Sequence, residues 1–170
     1  MRRILVPIDF SDLTDRMISV TEDLAHSCGA KVWLMHCFAP SASVVAIYEE
    51  PMNFPPPDRL LTERGSRQYR ELTQLTNTLQ NHGIDAETVF TSGDIAHDIL
   101  LAVEELRIDL IIMGSNGHGA LYDFFVGSVS KSVLHSTKTP TLIVSSEAPK
   151  EMVWETPYIG EWSEPMATPY

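Results

Sequence analysis

Apolar residues in this chain come either in short unbroken runs or at every third to fourth position, and the two patterns take turns along its length. Arg3 to Ile8 (R-I-L-V-P-I) is such a run, rich in β-branched residues. Asp9-Phe10-Ser11-Asp12 follows as a loop of N-cap candidates, and Leu13, Met17, Val20 and Leu24 then recur at helical spacing. Cys28-Gly29 stops this helix, the glycine supplying a left-handed cap, and Lys31 to His36 (K-V-W-L-M-H) opens a second buried strand. Leu72, Leu75 and Leu79 mark a second helix up to Gly83, and Asp85 to Thr91 alternates through Ala86, Thr88 and Phe90 as a half-exposed strand does. Gly93-Asp94 starts a third helix with the expected buried stripe Ile95, Ile99, Val103 and Leu106. Asp109 to Met113 (D-L-I-I-M) is a continuous apolar strand, Val126, Val129 and Val133 mark a fourth helix, and Pro140 to Val144 (P-T-L-I-V) is a last strand.

Strands alternating with helices in this way predict an α/β domain, doubly wound, with a parallel sheet covered by helices on both faces. Two stretches fall outside the alternation. Pro40 to Pro57 holds five prolines and the apolar patch Val44 to Tyr48, and reads as a lid or a packed loop. Beyond Glu147 the composition changes, with Pro149, Pro157, Pro165 and Pro169 among Trp154, Tyr158, Trp162 and Tyr170. The expected organisation is one domain over residues 1–146 and a tail over 147–170, its tryptophans anchoring it as an extended strap.

With 170 residues, 44% of them hydrophobic and 21% charged, a disordered or fibrous chain is excluded. No apolar run approaches the roughly 20 residues of a membrane span, no export signal is visible, and Cys28 and Cys37 match no redox or zinc spacing. A cytoplasmic protein with reduced thiols and no membrane partner is expected. The formal charge of −11, from 12 basic and 23 acidic residues, repels a polyphosphate and argues against nucleic acid. A single nucleotide stays open, because helix N-terminal amides hold a phosphate without net positive charge.

The segment after the fourth strand carries the chemistry. Met113 leads into Gly114-Ser115-Asn116-Gly117, and nine residues separate Gly117 from Gly127-Ser128. Glycines admit a close backbone approach, and the amides of Gly127, Ser128 and Val129 at a helix start are expected to be free for an anion. The bland alternative is that Gly114 only ends a strand and Gly127 only eases a turn. No Walker A loop, nucleophile elbow or G-x-G-x-x-G after the first strand is present, and the six histidines show no metal spacing, so most are expected at the surface or in caps. If the first and fourth strands are neighbours, Asp9 and Gly114 face one crevice; Asp9 alternatively caps its own loop.

Pro7-Ile8-Asp9-Phe10-Ser11, Met35-His36-Cys37 and the spacing G-x2-G-x9-G-S resemble, in order and interval, the ATP-binding subgroup of the universal stress protein family, from Arg3 to about Ser146. The resemblance implies a five-stranded sheet in the order 3-2-1-4-5. It assigns Pro7 and Asp9 to the ribose, the backbone at Cys37 to adenine, and Met113, Gly114, Gly117, Gly127, Ser128 and Val129 to ribose and phosphates. It further implies ATP, or AMP or ADP, with Mg²⁺. Expected partners are an adenine nucleotide, a second copy of the chain joined through the last strand, and an unidentified regulatory protein. The function expected is a stress-response regulator switched by nucleotide occupancy; the alternative is a slow Mg²⁺-dependent ATPase or phosphotransferase in the same pocket, with no catalytic residue assigned.

Overall fold

A computed structural model describes residues 2–38, 63–115 and 127–145. The expected lid at Pro40 to Pro57, Gly117, Val126 and the tail lie outside the described residues. The elements are β1 (Arg3–Pro7), α1 (Thr14–Cys28), β2 (Lys31–Phe38), α2 (Glu63–Asn81), β3 (Ala86–Ser92), α3 (Ile95–Glu105), β4 (Leu110–Gly114), α4 (Ser128–Ser136) and β5 (Thr141–Val144). The sheet has the order β3-β2-β1-β4-β5 and every neighbouring pair is parallel.

The unbroken apolar runs exist because both faces of the sheet are covered. Side chains alternate across each strand, so Ile4, Val6, Val32, Leu34 and Ile112 join Met17 and Ile18 of α1 and Leu72 and Leu79 of α2 in one core. Leu5, Trp33, Met35, Ile111 and Met113 join Ile99 and Val103 of α3 and Val133 of α4 in the other. Gly29 caps α1 in the left-handed conformation, at φ 58°, and Asp94 caps α3 by accepting the His97 N–H at 2.8 Å.

Two expectations are corrected. The residue capping α1 is Leu13, with no side-chain cap: the Thr14 N–H donates to the Ser11 carbonyl at 2.9 Å, so a backbone turn closes the entry that Asp9 to Asp12 were expected to cap. Ile95 is 38% exposed, because the first residue of α3 stands past the end of the sheet. His36, in the strand expected to be buried, is 7% exposed and lies in the middle of an aromatic group.

The two edges of the sheet differ. Along β3, Glu87 pairs with Lys31 and accepts the indole N–H of Trp33 at 3.1 Å, and this charged cluster discourages strand addition. Along β5, Leu142 is 37% exposed.

Candidate functional site

Pairing between β1 and β4 is confined to Ile4 with Leu110 and Leu5 with Ile111. On their outer sides β1 stays paired to Pro7 with Met35, and β4 to Gly114 with Val144. Past Leu5 and Ile111 the two central strands therefore hold only their outer neighbours. This opens a crevice at the carboxyl ends of the strands, where the chain order reverses and where ligands of doubly wound sheets sit.

One wall is the β1–α1 loop. Half-buried Pro7 ends β1, and exposed Asp9 accepts the Ser11 N–H through Oδ1 at 3.0 Å. This is the loop-capping role; a carboxylate has about four lone-pair sites, so the bond leaves capacity for a ligand hydroxyl. Phe10 adopts φ 57°, a conformation that an L residue holds only when its neighbours enforce it.

The opposite wall is the β4–α4 junction. The Gly127 N–H donates to the Ser115 carbonyl at 2.7 Å, so this amide is committed within the protein, a correction to the expectation that it is free. The first intrahelical bond runs from the Lys131 N–H to the Gly127 carbonyl at 2.9 Å. Ser128, Val129 and Ser130 precede it, and their amides have no acceptor inside α4. Among the described residues a Cβ on Gly127 would meet only the Ser115 carbonyl oxygen, at 3.7 Å, so these residues leave space there. Gly114 is different: its Cβ would meet Leu13 Cδ1 at 3.3 Å and Met17 Sδ at 3.4 Å, so this glycine lets α1 pack closely on β4. Met113 is 3% exposed in the core under α3 and α4, which leaves only its backbone to face a ligand.

Cys37 lies within β2, paired with Thr91, and not beyond it. Its thiol donates to Asp98 Oδ2 at 3.2 Å. Burial pushes the thiol up to about 11, and the Asp98 carboxylate adds to the rise, so Cys37 stays protonated near neutrality. Two contributors escaped the sequence reading. Ser130 donates its hydroxyl to the Gly114 carbonyl at 3.0 Å and draws α4 onto the end of β4; nothing in its spacing announces this. His36 was detectable as a polar side chain at the end of the apolar run Val32 to Met35, a place that demands a partner.

The class is a five-stranded, doubly wound α/β domain with the start of α4 tied to the end of β4. The family model described as the universal stress protein family matches residues 1–145, and the chain belongs to that family. It is 29% identical over 146 residues to universal stress protein YxiE of Bacillus subtilis, covering 84% of this chain and 97% of that one. The structure of the universal stress protein from Archaeoglobus fulgidus in complex with dAMP superposes with a TM-score of 0.60 at 16% identity, over 84% of this chain and 97% of that one. A universal stress protein in complex with cAMP superposes with a TM-score of 0.59 at 20% identity, over 84% and 95%.

Proposed function

We propose that the crevice between β1 and β4 binds an adenine nucleotide, ATP or AMP, and that occupancy regulates assembly or contact with a regulatory protein in the cytoplasm. The observation that carries this reading is the start of α4: amides of Ser128, Val129 and Ser130 without intrahelical acceptors, beside a glycine that leaves the approach open. Relatives of the same fold whose structures hold dAMP and cAMP support it. In this reading Asp9 meets the ribose, the backbone at Cys37 meets adenine, and Ser128 and Val129 hold phosphate, with Gly117 completing the loop. A bound Mg²⁺ would screen the phosphate charge, held mainly by the nucleotide and water with Asp9 as the candidate protein carboxylate.

Binding is favoured over turnover. Rapid phosphoryl transfer needs cationic clamps and a group to position the nucleophile, and Lys131 is the nearest cation in sequence to the phosphate-holding amides. Calorimetric titration with ATP and AMP, together with mass spectrometry of ligand released on denaturation, tests the proposal. Micromolar binding or a retained adenine nucleotide is expected; if neither nucleotide binds and none is retained, the reading is wrong.

A further inference from the structure

The ladder between β1 and β2 breaks at one particular bond. The Lys31 N–H donates to the Arg2 carbonyl at 2.8 Å and the Val32 N–H to the Asp85 carbonyl at 2.8 Å, so Lys31, Trp33, Met35 and Cys37 address β1 with their backbone while alternate residues address β3. Continued to its end, this pattern sends the Cys37 N–H to the carbonyl of Ile8, whose own N–H still donates to the Met35 carbonyl at 2.7 Å. The bond from Cys37 is absent. The Ile8 carbonyl faces His36 Nδ1 instead, at 2.7 Å. A carbonyl cannot donate, so Nδ1 carries the proton.

The imidazole is itself held. Its ring lies 4.7 Å from the ring of Phe10 and 5.6 Å from that of Phe90, and Phe90 meets Tyr69 edge-on at 5.5 Å. Phe10 is the residue with positive φ, and Asp9 precedes it directly.

We infer that His36 is a positioning residue for the nucleotide crevice: it occupies the Ile8 carbonyl in place of the Cys37 amide, and so ends the ladder there while its ring holds Phe10, and with it Asp9, in place. Two groups assigned to the ligand thereby owe their availability to one side chain that touches neither ribose nor base. Among the described residues the Cys37 N–H has no backbone acceptor, which leaves it for the edge of a base. This inference rests on the nucleotide reading above for its ligand, and on the hydrogen bond and the ring contact with Phe10 for its geometry.

The test compares His36→Phe, which keeps a ring and removes the donor, with His36→Asn, whose amide N–H reaches the place of Nδ1. AMP and ATP affinities are measured by calorimetry and amide exchange of Ser11, the acceptor of whose N–H is Asp9, by NMR. In His36→Phe the affinity is expected to fall about tenfold or more and Ser11 to exchange about tenfold faster, whereas His36→Asn retains most of both. A His36→Phe protein with wild-type affinity and wild-type Ser11 exchange overturns the inference, as does a His36→Asn protein that fares no better than a folded His36→Phe. Should His36→Phe fail to fold, His36→Gln, with its amide at the place of Nε2, replaces it and is held to the same two outcomes. If the wild type binds neither nucleotide, the function proposed above fails and Ser11 exchange alone decides whether His36 positions the loop.

Discussion

The amide of Gly127 donates to the carbonyl of Ser115 at 2.7 Å, which fixes the start of α4 against the end of β4. Ser130 repeats the tie one turn on, through its hydroxyl to the Gly114 carbonyl at 3.0 Å. With the helix pinned twice, the amides of Ser128 and Val129 have one direction, and an anion meeting them need not order them first. That preorganisation would lower the cost of holding the nucleotide phosphates proposed above on an acidic chain.

Replacing Gly127 separates folding from binding. Its φ of −55° suits any L residue, and among the described residues a Cβ would make only an ordinary contact with the Ser115 oxygen. Gly127→Val is therefore expected to unfold at a temperature close to the wild type's while ATP affinity falls about tenfold or more, because the added methyls fill the approach to the amides. Unchanged affinity in calorimetry would falsify the phosphate site.

Gly114 behaves in the opposite way. A Cβ there crowds Leu13 Cδ1 and Met17 Sδ, both in the core beneath α1, so Gly114→Ala should cost about 1–2 kcal/mol of stability by overpacking. Combining it with Leu13→Val, which removes the crowded methyl, should recover part of the loss in a double-mutant cycle of denaturation free energies. Additive costs would show that the contact does not limit the variant.

How far the chain could be read beforehand follows from these two glycines. The alternation of strands and helices and the helix faces were legible because period-2 and period-3.6 patterns report burial, and burial is what a doubly wound sheet imposes, whereas the strand order came from the family resemblance. The roles of individual backbone groups were not. Gly114 and Gly127 look alike in sequence, yet a Cβ on one would crowd a helix and on the other would meet only a carbonyl oxygen among the described residues, and only the positions of Leu13, Met17 and Ser115 tell them apart. The failure of Asp9 to Asp12 to cap α1 has the same origin: Asp9 bonds Ser11 locally, and the cap passes to Leu13. His36 was passed over because spacing tests look for metal pairs, and a single buried imidazole on a carbonyl has no spacing.

Cys37 should be the slower of the two thiols. Thiolate is the reactive form, burial and the Asp98 carboxylate raise Cys37 to about 11, and Cys28 is exposed. At pH 8 an alkylating reagent is expected to label Cys28 first, and Asp98→Asn should quicken labelling of Cys37 by removing the carboxylate charge that opposes the thiolate. The folded state holds this proton more tightly than the unfolded chain, whose thiol titrates near its ordinary 9.0. Above that pH the unfolded state releases its proton first, so the contribution present below about 9 is lost as pH rises toward about 11. Denaturation curves at pH 8 and 10.5 should show a smaller alkaline loss in Cys37→Ala than in wild type; an equal loss would assign the effect elsewhere.

The last prediction concerns self-association through β5. Pro140 and Val144 direct their carbonyls to Ile111 of β4 and to Ser115 just after it, so Thr141 and Ile143, lying between, turn their N–H and carbonyl groups to the open edge. Among the described residues no strand pairs with that edge. Leu142 is 37% exposed on this strand and Leu134 40% exposed on the helix before it. The β3 edge carries the Glu87 and Lys31 charges, whereas the described residues of β5 carry none, and an uncharged apolar edge invites pairing with a second copy about a two-fold axis. Light scattering at micromolar concentration is expected to report twice the 19.0 kDa chain mass. Leu142→Lys, which puts a charge beside the open edge while changing a side chain already partly in water, should return the mass to that of one chain and leave ATP affinity intact, since Leu142 lies on the outer strand and away from the β1–β4 crevice. A wild type that is monomeric with and without ATP defeats the dimer reading, and a Leu142→Lys protein that still doubles its mass moves the interface to another face.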